Sequence, residues 1–289
     1  MSLRFALLAA ALVTVHAREL PEFKPLAGSA VPEWKPLYQG VDYRLDELEA
    51  PRRLRIHQIR IDTKAEGIAF FTTPDNGEAP REVNGRRTAT FLKEFDLEVA
   101  INGTGFEPIA SEGSPVDLLG LSISDGKTVS GLDAASRNPI FLVDQGNRAS
   151  ILRAPLEEAG IAGARNALQG WYGANGMLLD DGERTTITED IHPRTALGIS
   201  RDGQYVYFLV ADGRQPGFSE GLTLIEMAEW MKQQLGCWDA MNLDGGGSST
   251  LVVKDADGTP RILNKPSGGV QRSVANHLGV QALPLPAEP

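Results

Sequence analysis

A single cysteine, Cys237, stands in 289 residues, so the chain can form neither an intrachain disulfide nor a cysteine-based zinc cluster. Its thiol reads as a small buried hydrophobe. Histidine is nearly as scarce: there are four, one of them in the first twenty residues, and none has the paired spacing of metal ligands. No cofactor is implied. Excess positive charge is lacking as well. At a formal net charge of −10, nucleic acid and anionic membrane surfaces would repel the protein at long range, which excludes both as main partners. The apolar run at residues 5–15 is too short to span a bilayer. Preceded by Arg4 and followed by Val15-His16-Ala17, it predicts a signal peptide, residues 1–17, cleaved after Ala17. A periplasmic or secreted protein without a stable membrane anchor follows. A buried N-terminal helix is the other reading, and it lacks a polar face to solvate it.

What the chain has is 42% hydrophobic and 23% charged residues, ordinary globular composition. Its densest chemistry lies at residues 242–250, Asn-Leu-Asp-Gly-Gly-Gly-Ser-Ser-Thr, between two apolar runs. Three consecutive glycines each cost about 0.5–1 kcal/mol of backbone entropy against alanine, which a mere linker would carry to no purpose. The loop lacks the lysine of a Walker motif and enters a strand rather than a helix, so it is not a nucleotide loop. The backbone amides of Gly245, Gly246 and Gly247 could form an anion nest.

In chain order, residues 18–39 predict an extended lead-in and residues 40–285 one domain. Alternation of Leu54, Ile56, Ile59 and Ile61 slips at His57-Gln58, predicting a bulged strand with residues 69–73 as its partner. His57 is a strand residue on this reading. Residues 88–95 predict a helix, 97–101 a strand ending at Asn102, 118–130 a hairpin, and 140–143 a strand. Residues 162–168 are weakly helical, and Asn175 to Gly182 reads as a strand with a turn.

Residues 196–200 and 205–211 predict a hairpin around Asp202-Gly203, placing Arg194 beside Asp212 and Arg214 on one sheet edge. Leu224, Ala228, Met231 and Leu235 follow helical spacing, with a Thr223–Glu226 capping box and Gly236 as terminator. This second helix feeds a strand ending at Asn242, as the first feeds Asn102. Two pseudo-repeated halves would bring the asparagines to one cleft; chance resemblance explains the pattern as well. The fold class is α+β: a mixed, largely antiparallel sheet with flanking helices.

Arg194, Arg214 and Arg272 could form a guanidinium clamp for phosphate, or be solvated charges. Gly217-Phe218-Ser219-Glu220-Gly221 fits the G-x-S-x-G nucleophile pattern, and Asp244 and His277 would complete the order of a serine hydrolase. No strand runs straight into Ser219, so it reads as a loop residue.

The sequence His192-Pro-Arg-Thr-Ala-Leu-Gly-Ile199, then Asp212-Gly-Arg214, the helix after Thr223, the 242–250 loop and Gln271-Arg-Ser-Val-Ala-Asn276 together resemble the phosphodiester glycosidase family. The resemblance is strong over residues 194–280, weaker over 99–106, where Gly105-Phe106-Glu107 departs from the family pattern, and absent before residue 40. It implies hydrolysis of the C1–O bond of a carbohydrate phosphodiester, such as a glycan or cell-envelope polysaccharide. Asp244 is then the carboxylate at C1, Asp212 the second carboxylate and Glu220 a reserve. Arg194, Arg214 and Arg272 would hold phosphate, while Asn102, Asn242 and Ser248 would bind sugar hydroxyls or brace the loop. The rival from another class is a protein that binds an anionic glycan or exopolysaccharide without turning it over. Oligomeric state is not legible.

Overall fold

The computed structural model describes residues 22–171 and 176–286. The expected signal peptide, residues 1–17, and Asn175 lie outside the described residues. Among these, no helix is long and apolar enough to cross a membrane.

Three antiparallel sheets enclose one apolar core. The largest, nine-stranded, runs in the order Lys24–Pro25, Val41–Ala50, Leu54–Asp62, Tyr205–Ala211, Arg194–Ser200, Cys237–Asn242, Met177–Asp180 and Glu183–Arg184, with Lys35–Tyr38 also paired to Val41–Ala50. A second sheet has the order Pro260–Ile262, Leu251–Lys254, Val99–Asn102, His277–Gln281 and Ala69–Thr72. The third joins Lys127–Ser130, Ser122–Ser124, Ala164–Gln169, Ile140–Asp144 and Ala149–Leu152. Every pairing among the described residues is antiparallel, so the expected mixed sheet is corrected to an antiparallel one.

Strand alternation sorts the side chains between layers. Leu197 and Ile199 enter the central core with Val99, Ile101 and Phe141, whereas Ala196 faces the Leu224–Leu235 helix through Met227, Ala228 and Met231. In the second sheet Ala100 and Val252 turn outward onto Phe91 and Leu92 of the Thr88–Glu94 helix. Each predicted helix therefore covers the outer face of a different sheet. The longer one has both halves of its capping box, Glu226 N–H to Thr223 Oγ1 at 3.0 Å and Thr223 N–H to Glu226 Oε2 at 2.9 Å.

Three local expectations are corrected. Leu54–Asp62 has no bulge; its register is regular against both neighbours. The slip at His57-Gln58 arises because both faces of the strand are buried: Leu54 and Ile56 pack under the longer helix, Ile59 and Ile61 in the central core. Ala69–Thr72 pairs with His277–Gln281, not with Leu54–Asp62. Residues 164–169 form a strand, since ladders on both edges outweigh a weak local helical preference. The lead-in carries two short edge strands, pinned where Phe23 meets Trp230 edge-on at 5.0 Å between centroids.

Register brings the functional segments to one end of the sandwich. Arg194 pairs with Ala211 and Ala196 with Asn242 in the large sheet, and His277 pairs with Asn102 and Ile101 with Leu251 in the second. The loops leaving these strand ends meet there.

Candidate active site

Asn102 is the brace of this junction. Fully buried, it accepts from Thr195 Oγ1 at 2.8 Å and Thr250 N–H at 3.1 Å, and its amide donates to the Asp244 carbonyl at 2.6 Å. One side chain thus ties both sheets to the glycine loop. Of the two roles open to Asn102, sugar binding and bracing, its bonds are those of a brace.

Around the loop opens a cleft of about 390 Å³, lined by Trp171, Phe106, Ile109, His192, Asn242, Asp244, glycines 245–247 and Arg194, Arg214 and Arg272. The three arginines expected at a phosphate meet here. The Arg194 guanidinium is anchored to backbone, donating through Nε to the Leu222 carbonyl and through Nη2 to the Asp190 carbonyl. Arg214 adopts φ 58°, an uncommon conformation for a side-chain-bearing residue, and its N–H is fixed to the Glu220 carbonyl at 3.0 Å. It donates through Nη2 to Nδ1 of His192 at 3.3 Å. A guanidinium only donates, so Nδ1 of His192 carries a lone pair and the proton of the neutral ring sits on Nε2. Burial, then the charges of Arg194 and Arg214, hold the His192 pKa below its ordinary value, in keeping with that neutral ring.

Asp244 is the carboxylate in this lining among the described residues. Burial raises its pKa above the ordinary aspartate value, opposed by a hydrogen bond from Ser248, the charge of Arg272 and the Gly245 N–H, 2.9 Å from Oδ1. Ser248 is buried outside the lining, and its Oγ accepts from Arg272 Nη1 at 3.3 Å. The serine therefore links guanidinium to carboxylate instead of facing substrate. Ser248→Ala is expected to move the acid limb of the kcat/KM profile to higher pH: removing a bond that favours the ionised carboxylate raises its pKa further, and activity is lost as pH falls through that value. A pH–rate profile of the variant checks this.

Two of the three amides expected in an anion nest are taken within the protein. Gly245 N–H is taken by the Asp244 carboxylate, Gly246 N–H by the Pro193 carbonyl at 2.9 Å, and Ser248 N–H by the Gly245 carbonyl at 3.1 Å. What the run supplies is close approach. A Cβ on Gly247 would overlap the Arg272 guanidinium. Gly247→Ala should displace Arg272 and weaken competitive inhibition by inorganic phosphate by about tenfold, the loss of roughly one charge-assisted contact; phosphate inhibition constants measure it.

The second carboxylate expected beside Asp244 is not in the cleft. Asp212 is buried, its Oδ1 accepting from Lys265 N–H at 2.7 Å and Asn264 Nδ2 at 3.2 Å, its Oδ2 facing His57 Nε2 at 3.2 Å. His57 in turn meets the Tyr43 hydroxyl at 2.9 Å, and burial pushes that tyrosine up to about 12. Asn264 also holds the Ser249 carbonyl and Leu251 N–H, so Asp212 supports the loop from behind. Glu220 is exposed and outside the lining. Ser219 is fully buried, donating to the Asp212 carbonyl at 2.7 Å and accepting from Arg55 N–H at 3.0 Å, so its hydroxyl is committed to backbone.

His192 and Trp171 were missed by sequence reasoning. His192 could have been found from its place two residues before Arg194; Trp171 carries no spacing signal, because it comes from the third sheet.

The model of the phosphodiester glycosidase family matches residues 95–281. The chain is 34% identical over 217 residues to the SPbeta prophage-derived uncharacterized protein YomE of Bacillus subtilis (strain 168), covering 68% of this chain and 30% of that protein. It is 31% identical over 210 residues to human N-acetylglucosamine-1-phosphodiester alpha-N-acetylglucosaminidase, covering 65% of this chain and 38% of the human protein. It therefore spans roughly a third of the length of these relatives. The catalytic domain of the zebrafish N-acetylglucosamine-1-phosphodiester alpha-N-acetylglucosaminidase, auto-inhibited by its pro-peptide, superposes with a TM-score of 0.61 at 19% identity, over 90% of this chain and 87% of that one. A Synechocystis protein superposes with a TM-score of 0.60 at 16% identity, over 89% and 64%. The extent of the family match makes the conclusion direct: the chain belongs to the phosphodiester glycosidase family.

Proposed function

We propose that the cleft hydrolyses the C1–O bond of a sugar 1-phosphodiester, releasing the sugar and a phosphomonoester. One observation supports this above the rest: a desolvated carboxylate, Asp244, shares a lining with three arginines and, among the described residues, with no second acid. An oxocarbenium-like transition state at C1 requires a carboxylate, as nucleophile or as base for water. Asp244 supplies it. The departing group is a phosphate, whose charge is spread over its oxygens and met by Arg194, Arg214, Arg272 and the Nε2–H of His192. That stabilisation stands in for the proton a general acid would deliver to an alkoxide. Water adds its hydroxyl to C1, its second proton passes to base, and the bridging oxygen leaves with phosphorus.

The purified protein should release free sugar and methyl phosphate from an α-pyranosyl methyl phosphate, and leave the methyl glycoside of the same sugar intact. If no member of a panel of glucose, galactose, mannose and N-acetylglucosamine phosphodiesters yields product, the reading fails and a glycan-binding role takes its place. The anomer first released tells whether Asp244 attacks C1 or activates water. Export belongs to the same proposal: N-terminal sequencing of protein recovered from periplasm or medium should begin at Arg18.

A further inference from the structure

The cleft has a second chemistry that the phosphate clamp does not use. Trp171 lies at its edge, just beyond the Ala164–Gln169 strand, with its backbone locked to Asn242: its N–H donates to the Asn242 carbonyl at 3.0 Å, and its carbonyl accepts from Asn242 Nδ2 at 3.4 Å. Its indole lies directly on Gly105. A Cβ there would strike three neighbouring atoms of the six-membered ring, so glycine is what lets the ring pack on the chain. Phe106 and the exposed Ile109 extend this apolar side.

One cleft holds all three chemistries: Trp171 with Phe106 and Ile109, the Asp244 carboxylate, and the guanidinium groups of Arg214 and Arg272. A sugar 1-phosphodiester also carries three, a ring with an apolar C–H face, the reacting C1 and an anionic group. The cleft offers a counterpart to each.

Resting on the proposed function, we infer that Trp171 is the platform of a sugar subsite, binding a cyclic pyranose by its C–H face, so that substrate lies with its ring on Trp171, C1 at Asp244 and phosphate at Arg214 and Arg272. Aromatic rings present a large flat apolar surface with a negative face, suited to the weakly positive C–H face of a pyranose. Trp171 selects rings over open chains. The phosphate side is indifferent to it.

Equilibrium binding tests this without turnover. Calorimetry should show the best of α-glucose, α-galactose, α-mannose and N-acetyl-α-glucosamine 1-phosphates binding about tenfold or more tighter than inorganic phosphate, while glycerol 1-phosphate gains nothing. Trp171→Leu should bring the sugar phosphates to within about twofold of inorganic phosphate, with inorganic phosphate itself unchanged as the check on folding. Trp171→Phe should keep most of the gain. The inference is overturned if glycerol 1-phosphate gains as much as the sugars on the unaltered protein, if no sugar phosphate outbinds inorganic phosphate, or if Trp171→Leu keeps the gain. Should sugar phosphates bind as described while no phosphodiester is cleaved, the platform stands and the hydrolytic reading falls.

Discussion

Asp244→Asn should lower turnover of a sugar 1-phosphodiester by roughly 1,000-fold or more and leave the protein at least as stable as before. The two halves of this expectation have one cause. Burial holds the Asp244 pKa above its ordinary value, which means that the folded state disfavours the ionised carboxylate. In the window between the ordinary aspartate pKa and the raised one, the native protein binds the proton more readily than the unfolded chain. Stability from this group is therefore lost as pH rises through that window, and above the raised pKa the whole penalty is present. Asparagine removes the charge while its carbonyl can still accept from Gly245 N–H. Thermal unfolding at pH 7 should give a Tm unchanged or higher by up to about 3 °C. A variant that loses stability along with activity would show Asp244 to be structural.

Asp212→Ala is expected to do the reverse. Its carboxylate meets Lys265 N–H, Asn264 Nδ2 and His57 with almost no access to water. Truncation strands these groups, costing about 3–5 kcal/mol, a large share of the roughly 5–15 kcal/mol that holds a domain together. Urea denaturation should show the midpoint falling steeply at constant slope. Any protein that still folds should lose activity in proportion to misplacement of residues 249–251 and 264–265. Were Asp212 the second carboxylate of the reaction, the variant would unfold normally and lose turnover; the denaturation curve separates the two.

The same pair shows what sequence could and could not tell. Asp244 was legible because three glycines and two serines crowd beside it, a composition that packing does not explain. Asp212 looked equivalent because it ends a strand beside Arg214, and strand ends do gather at the site. What decides between them is depth, and depth depended on His57, a residue 155 positions earlier in a strand whose apparent bulge was a strand buried on both faces. The Leu224–Leu235 helix and the Arg194–Ser200 hairpin strand were legible from local signals, a capping box and an Asp-Gly turn. Residues 164–169 were not, because a strand fixed by two long-range ladders leaves little local pattern, and Trp171 follows directly from it. The three arginines line one cleft because they flank strand ends that register unites; that Arg272 lies against Gly247 and Arg214 against His192 needed coordinates.

The position of bond cleavage tests the account most directly. Hydrolysis of an α-pyranosyl methyl phosphate in water enriched in oxygen-18, followed by mass spectrometry of both products, should place the label on the sugar C1 hydroxyl and leave methyl phosphate unlabelled. Label in methyl phosphate would mean attack at phosphorus with P–O cleavage, and would contradict the assignment of Asp244 to C1 and of the arginines to the leaving group.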